Sequence, residues 1–113
     1  MADVFEEREK GYEAKYKLDE ERRFKAEARR NRLVGEWAAG KLGLSGAQAS
    51  HYVKEVVRTD VESPGAEDVV RKIAADFKKN NVKIGTDDIR VEMKRLFTVA
   101  VEQVAKEFPS PLG

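Results

Sequence analysis

The sequence predicts an all-α protein, a small four-helix bundle with a long, partly projecting or disordered N-terminal helical arm. Three observations predict it. No stretch alternates apolar and polar residues as a half-buried strand does. Ala, Glu, Lys and Arg dominate, which favours helix. Clusters of Gly, Pro, Asn and Ser divide the chain into four segments, each with apolar residues at helical spacing.

The first helix has a pattern running from about Ala2 to Leu42, and GKLGLSG ends it with three glycines in seven residues. Ser45 then reads as an N-cap with Gln48 as its capping-box partner. The second helix runs to about Val61, with Ala49, Tyr52, Val53, Val56 and Val57 on one face. Ser63-Pro64-Gly65 makes a turn, and Pro64 sits near the first helical position of the third helix. Glu67 and Asp68 suit that helix's positive end. Its buried stripe is Val69, Val70, Ile73, Ala74 and Phe77, and Asn80-Asn81 closes it. Thr86 is the expected N-cap of the fourth helix, with Asp87 and Asp88 in its first turn. Ile89, Met93, Leu96, Phe97, Ala100, Val101, Val104 and Phe108 form its stripe, and Pro109 stops it. Short connections place neighbouring helices side by side.

The 113 residues make one ordinary domain. With 22 Lys+Arg against 21 Asp+Glu, net charge gives no reason to expect a nucleic-acid or membrane-surface protein. The absence of cysteine excludes disulfides, thiolate metal sites and Cys nucleophiles, and fits a reducing cytoplasm. A single His excludes a His-rich metal site. No apolar run approaches the roughly 18 to 20 residues of a membrane-spanning helix. The acidic, polar N-terminus does not read as a signal peptide.

Charge is unevenly spread. Residues 1–32 hold 19 of the charged residues, and the signs segregate within them. Residues 1–20 carry seven acids and four bases, whereas residues 22–32 carry six bases and one acid. Most of the Val, Ile, Leu and Phe lies beyond residue 32. The chain therefore divides into an arm, residues 1–18, and a body, residues 19–113. A continuous helix over residues 2–42 would span about 60 Å at 1.5 Å per residue. A domain of this size is only about 30 to 35 Å across, so the arm must project, bend back or be disordered. Gly11 costs it roughly 1 kcal/mol of helix stability relative to Ala. The physics favours an arm that frays when free and becomes helical when covered.

Chemistry-bearing motifs are few. Gly35 to Lys41 fits the spacing G-x-x-x-x-G-K of a phosphate loop, but Leu42 stands where Ser or Thr should hold magnesium, and no strand precedes it. Trp37 reads instead as a core anchor, and Gly40-Lys41 as a helix end. His51 has no nucleophile and acid arranged around it in sequence. Asp87-Asp88 is explained by the helix dipole. There is no catalytic residue to name and no metal site, and the sequence reads as a non-enzyme.

Arg22, Lys25, Arg29 and Arg32 fall along one broad face, suited to a phosphate backbone or an acidic protein surface. A solvated face with i,i+4 pairs such as Asp19–Arg23 and Glu21–Lys25 explains them equally. The arm is more informative. Phe5, Tyr12 and Tyr16 lie at i, i+7 and i+11 of one helical face. Such spaced aromatics fit either insertion into a partner's groove or packing back on the bundle.

FEEREKGYEAKY at 5–16, FKAEARRNRLVGEWAAGKLGL at 24–44, YVKEVV at 52–57 and PGAEDVVRKIAADF at 64–77 resemble the zeta family of ATPase inhibitor subunits of alphaproteobacterial F-type ATP synthases. The resemblance extends through the helix after Thr86 and implies a four-helix bundle. It also implies a function: insertion of the N-terminal segment between alpha and beta subunits at a catalytic interface, near the gamma stalk, arresting rotation in the hydrolytic direction. Carried over position by position, Phe5, Glu6, Arg8, Glu9, Tyr12 and Tyr16 are the expected contacts. Arg22, Arg29 and Arg32 are the expected docking residues of the body. The sequence departs at Gly11, where a strong inhibitor is expected to carry Ala.

The resemblance further implies a cytoplasmic protein held at the inner membrane's cytoplasmic face through the synthase, without membrane insertion or nucleic acid. A monomer is expected when free. Cofactors are not expected, beyond the weak adenine-nucleotide binding suggested for the family, for which the sequence places no site. The alternative function is a helical adaptor or weak nucleotide-binding bundle that does not inhibit.

Overall fold

A computed structural model describes residues 19–62 and 65–107. They form four helices: α1 (Glu20–Lys41), α2 (Gly46–Glu62), α3 (Ala66–Lys79) and α4 (Thr86–Glu107). Among the described residues there is no strand. The predicted fold class holds.

Helices α1 and α3 stop for local reasons. At the end of α1, Gly43 has φ +77°, its N–H reaches the Gly40 carbonyl at 3.1 Å, and the Leu44 N–H reaches the Ala39 carbonyl at 2.9 Å. This is a Schellman closure, and a left-handed residue at that position favours glycine. Helix α3 closes the same way with Asn81 at φ 60°, the Val82 N–H bonding the Phe77 carbonyl at 2.8 Å. Asn is the usual substitute for Gly there. Glu67 and Asp68 in its first turn suit the helix dipole as expected, and Lys78 and Lys79 in its last turn suit the opposite end.

Some boundaries shift. Helix α3 begins at Ala66, later than the start expected near Pro64, with Gly65 at its N-cap at φ 143°; Pro64 itself lies outside the described residues. Helix α4 opens one residue earlier than expected: Thr86, the expected cap, is already helical, and the Gly85 carbonyl accepts from Ile89 at 3.2 Å. Ser45 precedes α2 as expected, its carbonyl accepting from Ala49 at 3.4 Å.

The core is continuous from α1 through α4. Val34, Ala38, Ala39, Tyr52, Val56, Val69, Val70, Ile73, Phe77, Ile89, Met93 and Leu96 make its main cluster. Ala26, Phe97, Ala100, Val101 and Val104 make a second, between the N-terminal half of α1 and the C-terminal half of α4. Leu33 packs against both. All expected stripe residues of α4 through Val104 are buried, while Phe108 lies outside the described residues. Trp37 is half-buried and meets the Phe77 ring edge-on at 5.7 Å between centroids.

Helix α1 packs most extensively, against α4 and α2. Helix α1 comes close to α2 at Gly35, where a Cβ would stand 3.2 Å from the Val53 Cα. Across α2 and α3, the buried Tyr52 hydroxyl donates to Asp76 Oδ2 at 2.8 Å, and Lys72 Nζ donates to the same oxygen at 2.8 Å. Burial, then the Asp76 carboxylate, pushes the Tyr52 hydroxyl far above its usual pKa.

Candidate functional site

The arm contacts expected at Phe5, Glu6, Arg8, Glu9, Tyr12 and Tyr16 lie outside the described residues. The structure does define where the body begins. Asp19 has extended backbone, φ −85° and ψ 176°, and its Oδ1 accepts from the Arg22 N–H at 2.8 Å. That is an N-cap. Its carboxyl is held below the usual value, chiefly by that backbone N–H. The helical pattern that the sequence carries from Ala2 to Leu42 is therefore interrupted: α1 starts afresh at Glu20, because Asp19 satisfies its first donors. The signal was readable, since Asp19 precedes two glutamates that suit a first turn.

The basic run from Arg22 to Arg32 divides by environment. The Arg22 guanidinium folds onto the Asp19 carboxylate, and Lys25 pairs with Glu21 at 2.8 Å as expected. The expected Asp19–Arg23 pair is replaced: Arg23 reaches Glu27 at 3.4 Å instead. Arg29 is a tie between helices, donating to the Glu107 carboxylate and to the side-chain oxygen Oε1 of Gln103. Of the three candidate docking arginines, Arg32 is the exposed one.

Arg30 is not on the basic face at all. It is 3% exposed, with its Nε 3.3 Å from Asn31 Oδ1 and its guanidinium carbon 5.6 Å from the centre of the Phe97 ring. Asn31 is buried with it. The fourfold spacing Ala26, Arg30, Val34, Ala38 marks Arg30 as inward-facing, a signal that the count of positive charges hides.

A cleft of about 790 Å³ opens between α1 and α2. Ala39, Leu44, Ala49, Val53 and Val57 give it an apolar lining, and Arg32, Lys54, Arg58 and Glu36 bring charge to it. A smaller cleft, lined by Phe24, Lys25, Ala28, Arg29 and Arg32, lies further toward the start of α1. Phe24 is 72% exposed there. Arg32 lines both clefts.

The remaining motifs take structural roles. Gly35 to Lys41 is regular helix, so the near match to a phosphate loop is a helix crossing followed by a helix end. His51 is exposed beside a third cleft with Leu44, Gln48 and Glu55. Asp87 pairs with Arg90 at 2.8 Å. Among the described residues no group of three or more His, Cys, Asp or Glu is placed to hold a metal ion. Nor is any described helix long and apolar enough to cross a membrane.

Fold and surface thus define a small all-helical bundle carrying a charged N-terminal segment ahead of a capped first helix. A family model described as ATPase inhibitor subunit zeta matches residues 1–103, and the chain belongs to that family. A solved structure, determined by solution NMR, is 42% identical and superposes with a TM-score of 0.64. The match covers 75% of this chain and 96% of that one. A search of curated proteins gave no match.

Proposed function

We propose that this protein inhibits ATP hydrolysis by an F-type ATP synthase, with residues 1–18 as the inhibitory arm and residues 19–113 as the scaffold that presents it. The arm inserts at an alpha/beta catalytic interface near gamma. As a wedge it stabilises one closed catalytic state and so opposes the next opening. Phe5, Tyr12 and Tyr16 anchor it, and Glu6, Arg8 and Glu9 supply its polar contacts. The protein performs no catalysis itself and reaches the cytoplasmic face of the membrane only through the synthase.

The observation that carries this reading is the extent of the family match, which includes the arm as well as the bundle. The capped start of α1 at Asp19 supports it, since that helix boundary falls between the arm and the helix that carries the body's first core residues. Arm and body are then separable in function. Arg32 seats the body on the enzyme, because Arg22 and Arg29 are engaged within the chain. Ordering the arm on binding costs several kcal/mol of gross contact energy, so Gly11 sets an upper bound on potency.

The test is ATP hydrolysis by a purified alphaproteobacterial F-type ATPase stripped of its own inhibitor. The full chain should inhibit, and a chain lacking residues 1–16 should not. Binding without inhibition by the full chain would favour an adaptor that docks without blocking. No binding would refute both readings.

A further inference from the structure

We infer that the cleft between α1 and α2 is a binding site for a small anionic amphiphile, an unbranched aliphatic chain of about ten carbons with one carboxylate. The head lies between Arg32 and Arg58, and the chain runs along Val57, Val53 and Ala49 toward Leu44.

The first ground is the cleft itself. Its volume of about 790 Å³ falls within the roughly 300–1,000 Å³ of small-molecule sites, which are mostly apolar with a few polar groups. Leu44 and Ala49 rest against the main core, so that end of the floor is held in place. Among the described residues no aromatic ring lines the cleft, so nothing in it stacks a nucleobase.

The second is the order of charges. Helices α1 and α2 run antiparallel through the short connection between Lys41 and Gly46, and Gly35 abuts Val53. Counting turns from that crossing sets Arg32 level with Val57 and Arg58. Glu36 comes level with Lys54, and Ala39 with Ala49. The cleft is therefore basic at one end, self-compensated in its middle and apolar at the other end. Arg32, Glu36, Lys54 and Arg58 are in no ion pair among the described residues.

Nearby carboxylates do not cancel the basic end. Glu107 feels the charge of Arg32, but both its oxygens are bonded by Arg29. Glu62, one turn beyond Arg58 on α2, makes no ion pair with it and lies outside the lining. Arg32 and Arg58 are both exposed, and a carboxylate between them relieves their repulsion and accepts charge-assisted hydrogen bonds. Glu36 then works as a selector. Midway along the cleft it repels a second negative charge, so the ligand must confine its charge to the head.

The third is length. From Arg32 to Gly40 is eight residues of helix, about 12 Å. An extended chain covers that span in about ten single bonds, at roughly 3.5 Å per three bonds. The site does not depend on inhibition. Joined to the reading above, it means that an occupied cleft and docking of the body compete for Arg32.

The test titrates decanoate, below its micelle concentration, into the ¹⁵N-labelled full chain. The expected result is saturable movement of the amide peaks of Ala39, Gly40, Ala49 and Val53, with those of α3 unmoved. Hexanoate should bind at least about tenfold more weakly, and decyltrimethylammonium should leave the peaks in place. Arg32→Gln with Arg58→Gln should weaken decanoate at least about tenfold, with circular dichroism reporting the fold. Equal binding of decanoate and decyltrimethylammonium would leave only a greasy surface and overturns the proposal, as does the absence of saturable movement. Movement of the same peaks by ATP beyond that by decanoate overturns it too, because the occupant would be a nucleotide. So does movement with protein concentration alone, which marks a second copy. Sedimentation with phosphatidylglycerol vesicles in place of decanoate binding would make the cleft a membrane contact instead. No arm of the test uses the ATPase, so its failure and failure of the inhibitory reading are told apart.

Discussion

Arg29 reaches across from α1 and holds both carboxylate oxygens of Glu107 in the last turn of α4, at 2.6 and 2.7 Å. A bidentate guanidinium–carboxylate pair fixes direction as well as charge. It closes the bundle at the end where the arm departs. A residue that resembles a surface docking cation in sequence is thus a link between the first and last described helices.

Arg29→Ala should lower the thermal midpoint by about 1–3 °C, the modest range for a half-exposed pair. Arg32→Ala should leave it unchanged. Glu107→Ala in the Arg29→Ala background should add nothing further. Scanning calorimetry of the four chains checks this. Equal effects of Arg29→Ala and Arg32→Ala would remove the distinction drawn between them.

Two carboxylates joined to arginines on another helix predict an acid limit. Glu107 is held below its usual value of 4.5 by hydrogen bonding from Arg29, and Glu67 likewise by Arg90. A depressed folded-state pKa contributes stability that is fully present above the unfolded value and is lost as pH falls through the folded one. Urea midpoints should therefore change little through these groups from neutral pH down to about 4.5, then fall. Glu67→Gln with Glu107→Gln should lower the neutral plateau and flatten the acid slope.

The two glycines of α1 should respond oppositely to alanine. At Gly35 an added Cβ meets the Val53 Cα at 3.2 Å, and backbone on a packed helix yields poorly. Overpacking of about 1–3 kcal/mol outweighs the roughly 0.5–1 kcal/mol gained in helix propensity. Gly35→Ala should be destabilising by about 1 kcal/mol. Nothing lies within 4 Å of a Cβ at Gly40, so Gly40→Ala should stabilise by about 0.5 kcal/mol. Chemical denaturation measures both.

Tyr52→Phe removes the hydroxyl that donates to Asp76 but leaves Lys72 on the same carboxylate oxygen. The carboxylate is not orphaned, so the loss should stay near 1–2 kcal/mol. Asp76→Ala should cost more, because it strands the buried Tyr52 hydroxyl as well. Equal losses would mean that the hydroxyl finds another partner.

Asn81→Gly should stabilise α3's end. Asn81 sits at φ 60°, where a Cβ is strained and glycine is not. A gain of about 0.5 kcal/mol is expected in urea denaturation, together with slower exchange of the Val82 amide.

Sequence alone determined the four helices of the body, their stripes and the Asn80-Asn81 and GKLGL endings, because periodicity and backbone chemistry are local. Val69, Val70, Ile73 and Phe77 and the α4 stripe through Val104 are buried as read, whereas Ala74 of α3 and Ala49, Val53 and Val57 of α2 are only partly buried. It also carried the words that place the chain in its family. Which member of a charge-rich run faces inward was decided by tertiary structure. Arg22, Arg29, Arg30 and Arg32 are one residue type within eleven positions, yet they become a cap partner, an interhelix tie, a buried cation and an exposed one. Charge is countable along a chain, but its partner is a matter of which helix lies opposite. Gly35 shows the same limit. Its spacing to Lys41 suggested a phosphate loop, and only the approach of α2 reveals a position where a side chain does not fit. The cleft beside it exists in no single segment, since α1 and α2 each supply one wall.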